Sequence, residues 1–108
     1  MDKTLIIPIK KFRKALEKQG IPVKKMILYG SHAKGRADKG SDIDIVVISD
    51  YFQGMSVLQR GETFGKIFAG ARIVAPIEPM GFTEAEFNNK RSGTFIGDEV
   101  KTKGIEVN

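Results

Sequence analysis

Asp42 and Asp44 stand at the mouth of an apolar run, and a Gly30-Ser31 pair closes the preceding apolar run, with ten residues between Ser31 and Asp42. Alternate residues of a strand share a face, so both carboxylates converge on one spot, roughly 7 Å apart at Cα. Left alone they repel each other, and a divalent cation offsets that repulsion. Such a pair suits Mg2+, which takes oxygen ligands octahedrally and keeps positions open for water and substrate phosphate. Two ions about 4 Å apart could activate an attacking oxygen and stabilise a leaving one during in-line displacement at phosphorus. Gly30, just past a strand, allows close backbone approach to a ligand, and the Ser31 hydroxyl and amide can donate to phosphate oxygens. Lys34 and Arg36 can neutralise a triphosphate, and Ser41 completes the candidate nucleotide contacts.

Each part alone has a plainer explanation. Aspartate often turns the chain before a strand, and a Gly-Ser pair is common in turns. The stretch from Gly35 to Ser41 has the outline of a Walker loop, but no lysine immediately precedes the serine, which rejects it. His32 has no histidine partner anywhere in the chain and reads as a local hydrogen-bonding residue rather than a ligand.

Positioning these groups requires two strands and a short connection. Lys25 to Tyr29 reads as the first strand and Ile43 to Ile48 as a second, buried on both faces. The intervening His32 to Gly40 is expected to hold one helical turn. Pro8 to Gln19 carries Ile9, Phe12, Ala15 and Leu16 at helical spacing, with Pro8 in the first turn and Gly20 as the cap. A second helix is expected from Val57 to Ala69 on Val57, Leu58, Phe64, Ile67 and Phe68, with Gly61 and Gly65 allowing close approach to a neighbour. Arg72 to Met80 reads as a third strand that Pro76 and Pro79 confine to an edge or interrupt. Thr83-Glu84-Ala85-Glu86 has the form of a capping box and opens a helix to about Lys90. A helical piece from Phe95 to Lys101 and a strand from Gly104 to Val107 complete the pattern.

A chain of 108 residues, 41% hydrophobic and 29% charged, is expected to form one domain over 1–108. The absence of cysteine excludes a disulfide framework, a thiolate zinc site and a cysteine nucleophile, so any metal should be a hard, oxygen-liganded ion. No signal segment or apolar span of membrane length is visible, which makes a cytoplasmic location without membrane association the expectation. The formal charge of +5 favours anionic partners. The basic N-terminal segment reads as a solvated helix face rather than a nucleic-acid patch, because no aromatics interleave its lysines.

Taken together, Gly30-Ser31, the ten-residue gap and Asp42-Ile43-Asp44 resemble the signature of the DNA polymerase beta superfamily of nucleotidyltransferases. The likeness is greatest to its small MNT-type (minimal nucleotidyltransferase) members. The resemblance is carried by residues 26 to 48 and extends loosely to the C-terminus. It implies an α/β (α+β) nucleotidyltransferase fold, a small mixed sheet flanked by helices. It further implies Asp42 and Asp44 as Mg2+ ligands, Gly30 and Ser31 on the triphosphate of ATP, and a third carboxylate on a later strand that activates the acceptor hydroxyl. Glu78 is the candidate for that third catalytic and metal-binding group; Glu62 and Glu99 read as solvent-facing. Members of this size resemble antitoxins that pair with HEPN-type proteins, and some transfer AMP from ATP onto partner tyrosines. The leading expectation is therefore a Mg2+-dependent enzyme transferring AMP to a hydroxyl of a partner protein. The alternatives are a catalytically inactive nucleotide-binding module that masks a partner, and an adenylyltransferase of small molecules such as aminoglycosides, which would need a homo-oligomer to build its acceptor pocket.

Overall fold

The computed structural model describes residues 3–38, 40–89, 94 and 96–107. The chain order is α1 (Lys3–Lys18), β1 (Lys25–Tyr29), a 3₁₀ turn (Gly30–His32), β2 (Ile43–Ile48), a second 3₁₀ turn (Asp50–Phe52), α2 (Val57–Ala71), β3 (Ile77–Phe82), α3 (Glu84–Asn88), a π-helix (Ile96–Thr102) and β4 (Ile105–Val107). The strands form one mixed sheet in the order β3-β2-β1-β4. Strand β1 runs antiparallel to both β2 and β4, and β2 runs parallel to β3. The α/β class and the small mixed sheet match the sequence expectation.

Alternation along β2 explains the layering. Ile43, Ile45 and Val47 point to one side, where Ile9, Phe12 and Leu16 of α1 and Phe64 and Ile67 of α2 complete a core. Val46 and Ile48 point to the other, packed with Ile27, Tyr29, Phe87, Ile96 and Val100. Two helical layers thus cover the β-branched strand, as its near-continuous apolar run requires. Asp42 and Asp44 follow the parity of Val46, so both belong to the face shared with α3 and the π-helix.

Several boundaries differ from the sequence reading. Helix α1 begins at Lys3, so Pro8 lies inside it rather than in its first turn. Burial of Ile9, Phe12 and Leu16 outweighs the one backbone hydrogen bond that proline removes. The helical turn after β1 begins at Gly30, upstream of the expected stretch, and β3 starts only at Ile77. Its edge position is as the prolines demanded. Gly61 and Gly65 do not line an interface: both face open space. Val57 and Leu58 are 88% and 73% exposed, because the inward face of α2 is set by Arg60, Phe64 and Ile67. The expected helix ends at Lys90 and Phe95 lie outside the described residues.

Arg60 is a buried cation that apolar periodicity does not reveal. It is 9% exposed, donates to the carbonyls of Phe52, Met55 and Gly81, and forms a two-pronged pair with Glu86. Glu86 is also the N3 residue of the capping box on Thr83, so one carboxylate ties α2, β3 and α3 together.

Candidate active site

The sheet register assembles the acidic cluster. Tyr29 of β1 lies opposite Asp44 of β2, and Asp44 lies opposite Glu78 of β3. Asp42, two residues before Asp44, shares their face, and its charge is the first influence on Glu78. The structure thus brings Asp42, Asp44 and Glu78 together, with a tyrosine closing the row.

Gly30 is shaped to this cluster in two ways. Its φ of +73° lies in the left-handed region, and a Cβ there would overlap the Asp44 carboxylate. The chain therefore turns directly against Asp44, as no other residue type allows without displacement. The turn is closed by the Ala33 and Lys34 amides donating to the Gly30 carbonyl and by the Arg36 amide donating to that of Ser31.

Crowding of like charge shows in the protonation behaviour. The charge of Asp42, then burial and the charge of Asp44, raise the Glu78 pKa above its ordinary value. Burial and then Asp42 raise that of Asp44, with nearby His32 opposing. The Tyr29 hydroxyl is pushed up to about 12, by burial first and then by Asp44 and Glu78, so it stays protonated at neutral pH. His32 Nε2 is 3.2 Å from the Ser41 carbonyl. Because a carbonyl only accepts, that nitrogen carries the hydrogen.

The other expected nucleotide contacts ring the cluster. Ser31 is exposed on the turn. The Ser41 hydroxyl accepts from the Asp38 amide and closes the 38–41 turn that leads into β2. Arg36 is exposed, and among the described residues its guanidinium has no ion-pair partner. Lys34 pairs with Glu99 at 2.7 Å. Glu99 is therefore not the solvent-facing residue expected from sequence: it is only partly exposed and holds both Lys34 and Lys103. These lysines, Lys34 foremost, lower its pKa. Tyr29 and Glu99 were invisible as site residues, since their placement depends on strand register and on how the π-helix packs.

The donor set fits a hard divalent cation: three carboxylates, two of them with raised pKa values that a positive charge would relieve. Among the described residues no three such side chains are gathered closely enough to enclose an ion as they stand. An open arrangement is what Mg2+ uses when water and phosphate complete its shell. Asp42 and Glu78 are exposed, and Asp44 is partly so. One concavity, about 500 Å3, lies between α1 and α2 among Ala15, Lys18, Tyr51 and Lys66, on the opposite side of the sheet. No helix among the described residues is long and apolar enough to cross a membrane.

The family model for the nucleotidyltransferase domain matches residues 9–103, and the chain belongs to that family. A Sulfolobus solfataricus protein described as a nucleotidyltransferase shares the fold with TM-score 0.67 at 17% identity, over 95% of this chain and 78% of that one. A toxin-antitoxin structure solved with AMP-PNP aligns with TM-score 0.54 at 20% identity, over 90% of this chain and 69% of that chain. BolA1 from Arabidopsis thaliana aligns with TM-score 0.53 at 15% identity over 73% of this chain and 94% of its own, a likeness of fold alone. No curated protein matches the sequence. The MNT-type resemblance read from Gly30-Ser31 and Asp42-Ile43-Asp44 agrees with the family, and the Sulfolobus and toxin-antitoxin structures share the fold.

Proposed function

We propose that the protein transfers a nucleoside monophosphate, AMP from ATP, to a hydroxyl group on a partner protein. The observation that carries this reading is the parallel β2–β3 register, which sets Glu78 opposite Asp44 and beside Asp42. Asp42, Asp44 and Glu78 would hold Mg2+, whose bound charge neutralises the triphosphate and acidifies an acceptor hydroxyl. Gly30 and Ser31 form the turn against which the phosphates lie, with Lys34, Arg36 and Ser41 at its margin. Glu78, raised in pKa, receives the acceptor proton as the acceptor oxygen bonds the α-phosphorus. The bond from that phosphorus to the α,β-bridging oxygen breaks, and pyrophosphate leaves with that electron pair.

ATP as donor is supported by the AMP-PNP in the toxin-antitoxin neighbour, and that neighbour also supports a toxin as partner, of the HEPN type implied by the sequence resemblance. The exposure of Asp42 and Glu78 supports a macromolecular acceptor, because exposed carboxylates can be reached by the surface that delivers the hydroxyl. Calorimetric titration of ATP with and without Mg2+ tests the site. Binding should need the metal and disappear in Asp42→Asn/Asp44→Asn. Should the double variant still neutralise a cognate toxin, the protein is instead a masking module.

A further inference from the structure

Beside the acidic row lies an ion cluster of which the proposed chemistry uses only Lys34. Glu99 projects from the π-helix, an element often found at functional sites. One carboxylate oxygen, Oε2, takes Lys34 at 2.7 Å; the other, Oε1, takes Lys103 at 3.4 Å. Both residues of the pair sit on backbone that is anchored. The Lys34 amide is tied to the Gly30 carbonyl within the turn that abuts Asp44. Ile96 and Val100, which flank Glu99, are buried against the sheet face that carries Asp44 and Tyr29.

We infer that Glu99 is a positioning residue, holding Lys34 at the Gly30-Ser31 turn in the pose from which it binds the terminal phosphates of a nucleoside triphosphate. This rests on the triphosphate reading of the site. An ammonium group has three donors, and the pair uses one, leaving two for phosphate oxygens. A free lysine loses rotamer freedom on capturing a ligand, whereas a tethered one has lost most of it beforehand. Lys103 keeps the cluster positive: two lysines against one glutamate leave one excess positive charge beside the turn. The glutamate therefore orients Lys34 without cancelling the attraction for an anion.

The test compares Mg-ATP and AMP binding by the full chain and by Glu99→Gln, Lys34→Gln and the double variant, with melting temperatures measured in parallel. Glu99→Gln is isosteric at a partly exposed position and should fold. It should weaken ATP binding by about five- to tenfold, leave AMP binding unchanged, and add nothing further in the Lys34→Gln background. Equal or tighter ATP binding by Glu99→Gln, equal losses for AMP and ATP, or additive losses in the double variant would overturn the inference while leaving the nucleotide site intact. Absence of Mg-ATP binding by the unaltered protein would overturn the inference together with the reading beneath it.

Discussion

The Asp44 carboxylate fills the space that a side chain at Gly30 would need, and substitution of either residue should show it. Gly30→Ala combines a left-handed backbone with a Cβ that overlaps the Asp44 carboxylate. Backbone strain alone is worth about 1–2 kcal/mol. Urea denaturation should therefore show at least that loss, and ATP binding should be abolished. Gly35→Ala is the control, since its φ is also positive at +69° but its Cβ meets open space: it should lose a comparable increment of stability and keep binding. Asp44 carries the opposite signature. A carboxyl whose pKa is raised on folding stabilises the fold below its unfolded pKa and loses that contribution as pH rises through the raised value. Without metal, Asp44→Asn should thus melt higher than the parent at pH 7, with the gain vanishing below pH ~4. A variant that melts lower at neutral pH would show that hydrogen bonds to the carboxylate outweigh the repulsion.

At the scale of elements, the Arg60–Glu86 pair holds α2, β3 and α3 in register. Arg60 donates to three backbone carbonyls, and removing it takes that donor from each. Arg60→Met should therefore cost about 1.5–3 kcal/mol in urea denaturation, the range for hydrogen bonds to a charged group, because the Glu86 carboxylate left behind is partly solvated. Arg60 also lowers the Glu86 pKa to about 2, and the sign of this linkage opposes that of Asp44. The stability it contributes is complete above the unfolded value of 4.5 and is lost as pH falls toward 2. Melting curves between pH 6 and 2 should fall less steeply for Glu86→Gln than for the parent, although that variant starts from lower stability. This staple was half legible: the Thr83–Glu86 capping box could be read from spacing, but nothing local announces that Glu86 also receives a buried arginine from a helix 26 residues earlier.

For the molecule as a whole, β2 is the structural spine. It is buried between two helical layers and paired on both edges, whereas among the described residues β3 and β4 each pair on one edge only. Amide hydrogen exchange should accordingly be slowest in Ile45 to Ile48 and Met26 to Leu28 and faster in β3 and β4; uniform protection across the sheet would contradict this ordering. The same centrality explains what could be read in advance. Residues 25 to 48 carry both apolar runs, the Gly-Ser turn and the paired aspartates within one short segment. Their strands, the shared face of Asp42 and Asp44 and the family signature follow from local spacing, because the two-residue period of a strand is a property of the backbone itself. The sequence by itself also determined the capping box, the edge character of β3 and the hard-oxygen chemistry open to a chain without cysteine. Only the tertiary structure decided that Glu78 falls opposite Asp44, that Tyr29 closes the row, that Glu99 takes Lys34 and that Gly61 and Gly65 face solvent. Each of those depends on a register or a helix rotation selected by packing between segments distant in the chain, and no local pattern encodes that selection.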